Sequence, residues 1–186
     1  MAQTDLVRKV VGPFLRHAGQ REVDAIFLTH GDYDHISGVA DIAAAYDVHD
    51  IFIGPRFRYH AVGVAPTEGL LHALDQEDRP PRVLNKGEAI PLGRDVEVNV
   101  LWPPKNSQLS SNDDAMVMRF TYAGRSILFT GDIQEDAEKG LLANPGQLKS
   151  DILIAPHHGS SEVTTTAFVR AVDPQVILSS NDRHLT

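Results

Sequence analysis

Apolar positions along the chain alternate between two rhythms. Residues 4–18 place Leu6, Val10, Phe14 and Leu15 at helical spacing, with Thr4 or Asp5 as cap and a kink expected at Pro13. The run at 25–29 reads instead as a short buried strand. Helix 36–46, strand 50–54 and helix 67–77 follow. The middle of the chain changes character: 96–102, 115–122 and 125–131 read as three strands, the last two joined by a tight turn at Ala123 and Gly124. Alternation then resumes with helix 133–143, strand 151–156, helix 163–172 and strand 176–178. Pro-rich stretches RPPRV and WPPKNSQLSS are loops. With no repeat, low-complexity tract or linker, the pattern predicts one α/β domain over residues 1–186.

Composition narrows this picture. At 186 residues, 42% hydrophobic and 23% charged, the chain is long enough for a real core and ordinary for a soluble globular protein. Its apolar runs are only a handful of residues, against the roughly 20 that span a bilayer, and its first residues lack the apolar core of a signal peptide. The chain as given is expected to be soluble. A formal charge of -8 argues against broad affinity for phosphate backbones, which rests on Lys and Arg. There are no cysteines, so His and carboxylate are the only strong metal ligands available.

Those ligand types gather at three strand ends. Directly after strand 25–29, the stretch FLTHGDYDHISG sets His30, Asp32, Asp34 and His35 at HxDxDH spacing. In extended backbone residues i and i+2 face the same way, so His30 and Asp32 can address one point while the next turn brings Asp34 and His35 to a neighbouring one. Two adjacent metal sites are the reading for the set, although Asp34 taken singly would be an ordinary helix cap. The second cluster, GDIQEDAE, offers Asp132 either as a D-x-x-E capping box with Glu135 or as a carboxylate shared by two cations roughly 3.5–4 Å apart. Glu135, Asp136 and Glu138 read as a solvated helix face. The third, PHHGS, ends strand 151–156. Adjacent histidines point apart, so one is expected to ligate metal, His158 preferred, and the other to orient it or act on substrate. Ser160 or Ser161 would cap the following helix in the plainer reading.

LTHGDYDHISGV, FTGDI and PHHGS, in that order, resemble the metallo-beta-lactamase superfamily. Asp32 at the second ligand position, the SNDDAMVMRF stretch and AEKGLL narrow the resemblance to its ComEC-type competence branch. The family implies a four-layer α/β/β/α sandwich with the site at the edge between the sheets. Carried over by position, His30 and Asp32 would hold a first metal, Asp34, His35 and His158 a second, and Asp132 would bridge them. No further histidine completes the first site; Asn112 stands there as a candidate substrate contact, and Asp113 or Asp114 as possible oxygen ligands for which solvated loop charge is the plainer reading. Carboxylate-rich coordination favours Mn2+ while admitting Zn2+.

The implied reaction is metal-dependent hydrolysis of a DNA phosphodiester, on a single strand during uptake, with Asp34 orienting water or accepting its proton and His157 serving the leaving group. Another ester or lactone is the alternative substrate, and a non-catalytic binding module the alternative class. Arg56, Arg58, Arg119 and Arg125 are candidates for phosphate contacts, with scattered surface charge the plainer reading of each. The histidines at 17, 49, 60 and 72 read as structural, and His184 as a candidate for the site rim. The family domain opens with a further strand pair and continues beyond strand 176–178. The chain is therefore expected to lack part of the N-terminal sheet and to be incomplete at both ends. A homodimer partner or a flanking segment would cover the open sheet edge, and the location would be cytoplasmic or attached to a membrane protein.

Overall fold

The computed structural model describes residues 7–160 and 163–180. A π-helical turn, Val7–Val11, leads into α1, Gly12–His17. There follow β1 (Glu22–Leu28), α2 (Tyr33–Ile36), α3 (Val39–Ala45), β2 (Asp47–Ile53), α4 (Phe57–Ala61), α5 (Ala65–Gln76), β3 (Arg82–Val83), β4 (Ala89–Leu92) and β5 (Val96–Trp102). The second half adds β6 (Val117–Tyr122), β7 (Arg125–Phe129), α6 (Glu135–Leu142), β8 (Ile152–Ile154), α7 (Thr166–Val172) and β9 (Val176–Leu178). No helix among the described residues is long and apolar enough to cross a membrane.

Two sheets form, β1-β2-β3 and β4-β5-β6-β7-β8-β9. Three buried clusters fill the spaces around them. Leu28, Ile51 and Ile53 pack with Val39, Leu70, Leu71 and Leu74 of α3 and α5. Phe52, Val98, Val100, Met116 and Met118 fill the gap between the sheets. Leu101, Val117, Leu128 and Leu153 meet Ala137, Leu141, Phe168 and Val172 of α6 and α7. Helix, sheet, sheet, helix is the four-layer sandwich, with the N-terminal sheet the smaller.

The pattern of apolar positions found most of these elements, and the differences have local causes. The segment expected as one helix at 36–46 is two, divided around Gly38. At the N-terminus the buried residues are Val7 and Gly12, while Val10 and Phe14 are exposed: the π turn shifts the register by a residue, and Pro13 sits in the first turn of α1, where its missing N–H costs nothing. The proposed caps at Thr4 and Asp5 lie outside the described residues. The turn at Ala123 and Gly124 has both residues at positive φ, 49° and 76°, as a two-residue hairpin requires.

Two readings of charge are overturned. Glu138 is not on a solvated face: it is 1% exposed and accepts from the Thr165 N–H and hydroxyl. Nor does Asp132 cap α6. Asp113 does so from a different loop, its Oδ1 accepting from the Gln134 and Ala137 N–H groups at 2.9 and 3.1 Å. Thr165, and not a serine of the PHHGS segment, caps α7 by accepting from the Phe168 N–H.

Candidate metal centre

Strands β1 and β2 run parallel, as do β7, β8 and β9, and the carboxyl ends of β1, β7 and β8 meet at one edge of the sandwich. Backbone bonds tie these ends together: the Met116 N–H donates to the Thr29 carbonyl (2.9 Å) and the His157 N–H to the Gly131 carbonyl (3.1 Å). The Thr130 hydroxyl donates to the Ile154 carbonyl at 2.8 Å. Gly131 makes the closure possible. Its φ is +56°, and a Cβ there would lie 3.0–3.1 Å from the side chains of Thr29 and Ala115. On the other side the Thr67 hydroxyl donates to the Gly31 carbonyl (2.7 Å), holding the turn after His30.

Imidazoles and carboxylates converge at this edge. Asp132, 4% exposed, turns Oδ1 to within 3.2 Å of His35 Nε2. Its Oδ2 lies 3.9 Å from His30 Nε2 and 3.5 Å from His158 Nε2. His158 Nε2 also lies 3.1 Å from Asp34 Oδ2. Two groups with ligand atoms within 4.8 Å of one another result, His30, His35 and Asp132 in one and Asp34, His35 and His158 in the other. Asp32 stands outside both, about half exposed, with Oδ2 3.6 Å from His30 Nε2. His157 is on the rim, its Nε2 3.9 Å from Asp132 Oδ2. Asn112 is half-buried on the neighbouring loop, where its carbonyl accepts from the Ala115 N–H. His184 lies outside the described residues.

The side chains fit a divalent cation. Ligands at 2.0–2.1 Å in a tetrahedron stand about 3.4 Å apart, close to the spacings here. His30 Nε2 is buried without a hydrogen-bond partner, a costly state unless an electrophile takes the lone pair. His35 Nε2, buried as well, faces the carboxylates of Asp132 and Asp34. Hydroxyls hold the far nitrogens: Thr29 Oγ1 is 3.1 Å from His30 Nδ1, and Ser180 Oγ is 3.0 Å from His158 Nδ1. Each ring is thus oriented with Nε2 toward the carboxylates, as supporting groups do in metal sites. Thr29 could be suspected from its place beside His30. Ser180, 22 positions from its partner, gives no local signal.

Electrostatics agree with close packing of opposite charges. Burial pushes the Asp132 carboxyl up, but pairing with His35 and the nearby His30 and His158 outweigh it and leave the group below its ordinary value. Burial pushes His30 down, and repulsion from His35 adds to this. For His35 burial acts downward too, yet Asp132 and Asp34 prevail and raise it. His157, His158 and Gly159 are consecutive residues at positive φ, 48°, 59° and 86°. For two non-glycine residues that is strained backbone of the kind that functional sites hold in place.

Asp113 and Asp114, for which loop charge was the plainer reading, are both buried. Asp113 caps α6 as described, also taking a bond from Ser110 Oγ at 3.1 Å, and Asp114 Oδ2 lies 2.8 Å from His60 Nε2. Neither belongs to the two ligand groups.

Comparison with known proteins bears on this site. The family description Metallo-beta-lactamase superfamily fits residues 2–176. The chain is 28% identical over 175 residues to ComE operon protein 3 of Bacillus subtilis, covering 94% of this chain and 22% of that protein. It is 27% identical over 181 residues to the competence protein ComA of Neisseria gonorrhoeae, covering 97% and 22%. It therefore spans about a fifth of the length of these relatives. Among solved structures, CmlA, a diiron beta-hydroxylase of Streptomyces venezuelae, superposes with a TM-score of 0.55 at 15% identity, over 85% of this chain and 36% of that one. That likeness speaks for the fold alone, since one fold can host unrelated chemistries.

Proposed function

The chain belongs to the metallo-beta-lactamase superfamily, within which its relatives mark the ComEC-type competence branch, and from that premise we propose that it is a dinuclear metal-dependent phosphodiesterase acting on single-stranded DNA. The observation that carries the metal centre is the convergence of His30, His35, His158, Asp34 and Asp132 from three strand ends, with the Nε2 atoms of His30 and His35 buried and turned to the carboxylates. The competence relatives supply the direction toward DNA.

In this reading His30, with Asp32 within reach, holds the first ion, and Asp34, His35 and His158 hold the second. Asp132 lies between, one oxygen toward His35 and the other toward His30 and His158. The donors are nitrogen and oxygen only, which suits Mn2+ or Zn2+. When bound, such cations supply Lewis acidity that activates water and offsets charge growing on phosphate oxygens. Asp34, half exposed beside His158, orients the attacking water and accepts its proton. His157, on the rim and a third exposed, protonates the leaving oxygen. Asn112, on the loop beside the Thr29 strand end, donates to a non-bridging substrate oxygen.

The test is cleavage of a single-stranded oligonucleotide by the purified chain with added Mn2+ or Zn2+, beside Asp132→Ala and with metal content measured. Two ions per chain and cleavage lost in the variant are expected. A folded chain that binds two ions, yet leaves DNA intact as the variant does, would transfer the site to another ester or lactone. A chain that binds none would leave a binding module.

A further inference from the structure

The structure separates the four arginines that sequence alone leaves equivalent. Arg58 gives both terminal nitrogens to Asp75, at 3.3 and 3.0 Å. Arg125 donates to Asp151 at 2.9 Å, and Arg119 to the Gln147 carbonyl at 3.1 Å. Arg56 makes no hydrogen bond among the described residues. Its Nε is buried, 3.9 Å from Asp114 Oδ2, and its guanidinium carbon lies over the exposed Tyr59 ring, 3.8 Å from the centroid. The side chain is thus held along its length while the terminal fork, which carries four N–H donors, is left uncommitted.

The clamp behind it is unusual. Asp114 is 4% exposed; one oxygen meets His60 at 2.8 Å, and the other is buried with no partner. A buried carboxylate is expensive unless a cation or hydrogen-bond partners face it, so it fixes both Arg56 and His60. The group lies at the same edge of the sandwich as the metal centre: β1 and β2 are paired up to Leu28↔Ile53, His30 follows two residues after that pair on the β1 side, and Arg56 follows three residues after it on the β2 side. The Met116 N–H bond to the Thr29 carbonyl brings Asp114 to the same point from the other sheet.

We infer that Arg56 is a phosphate anchor, its fork gripping a backbone phosphate of the single strand that flanks the scissile one, with Asp114 and His60 as the residues that position it. A planar fork suits phosphate bidentately. In a chain of net charge -8, a polyanion extending past the metal centre meets attraction only where a fixed cation stands, and an uncommitted guanidinium fork supplies one. The inference rests on the DNA reading above and adds the contact that would give it affinity.

The experiment is equilibrium binding of a fluorescent oligothymidylate to the full chain, in Ca2+ and again in chelator, across a salt series. Arg56→Ala should weaken binding roughly tenfold and reduce the slope of log affinity against log salt by about 0.7, the share of one phosphate on a single strand. Arg58→Ala, whose fork is already taken, should match the wild type. Arg56→Lys keeps the charge and guards against misfolding; it should keep the salt slope and lose about threefold in affinity. A single neutral methylphosphonate linkage, scanned along the strand, should weaken the wild type at one position and leave Arg56→Ala unaffected there. If the wild type binds and Arg56→Ala binds equally with the same slope, the anchor is refuted while the DNA reading stands. If the wild type binds no single strand in either condition, the DNA reading falls and the anchor with it.

Discussion

The loop 30–35 and the loop 110–116 each carry two aspartates, and both lie at the same edge of the sandwich. In the first, Asp32 and Asp34 are about half exposed and face imidazoles. In the second, Asp113 and Asp114 are buried, one spent on the backbone of α6 and the other on His60 and Arg56. What separates them is the partner each carboxylate faces, clustered imidazoles in the first loop and backbone N–H groups or an arginine–histidine pair in the second. Asp132, as buried as the second pair, faces imidazoles like the first. Substitution should therefore split the two loops cleanly: the exposed acids and Asp132 should govern metal and rate, the buried pair stability and shape.

The sharpest form of the split is Asp132→Asn. It keeps the volume and removes the charge facing His35, His30 and His158. Metal-dependent hydrolysis should fall at least ~1,000-fold, equivalent to about 4 kcal/mol of barrier, with a melting temperature in chelator close to that of the wild type. A variant that loses both activity and fold would merge the two classes.

Asp113→Ala should do the reverse. It strips acceptors from the Gln134 and Ala137 N–H groups and from Ser110, at about 2–3 kcal/mol. For a chain of this size that lowers the melting temperature by roughly 5–10 °C, while metal stoichiometry below the transition stays the same. Asp34→Ala, by contrast, should leave stability within about 0.5 kcal/mol, as ordinary surface changes do. Equal melting losses at both positions would erase the distinction drawn here.

The difference between the loops also marks what sequence can disclose. HxDxDH after an apolar run is legible as a cluster because it closes a buried strand and metal ligands need short spacing, although Asp32, expected to share a point with His30, stands outside both ligand groups. The GD and PHHGS ends are legible for the same reason. Asp113 is not, because it caps a helix 21 and 24 positions away, and the D-x-x-E pattern at Asp132 offered a nearer and mistaken cap. Arg56 looks like any surface arginine until Tyr59 and Asp114 are seen around it. Glu138 does carry a local signal: it stands three residues before Leu141 and one after Ala137, on the apolar face of α6.

The first loop can be tested at one remove through Ser180. Its hydroxyl lies beside His158 Nδ1, so Ser180→Ala frees the ring without touching a ligand atom. Metal affinity should drop about tenfold, visible in competition with a chromogenic chelator. An unchanged affinity would mean that the ring is held without the Ser180 hydroxyl.

Glu138 gives the smallest effect and extends the comparison to a third acid. Burial raises its carboxyl above the usual 4.5, against the opposing hydrogen bonds from Thr165 and with Glu135 and Asp113 adding to the rise. The folded chain therefore holds this proton more tightly than the unfolded chain, and stability rises with pH only where the unfolded state binds more protons. Here the sign is opposite: the contribution is full below the ordinary value and is lost as pH climbs through the raised one. Glu138→Gln cannot ionise, so it escapes that loss but gives up one of the two oxygen acceptors facing Thr165. The free-energy gap between variant and wild type, followed by urea denaturation, should move in favour of glutamine between about pH 4 and pH 7, by less than ~1 kcal/mol in total. A gap that stays flat over that range would mean that the bonds from Thr165 fully offset the burial of the charge, so that the fold favours neither form of Glu138. A gap that moves against glutamine would overturn the sign argued here.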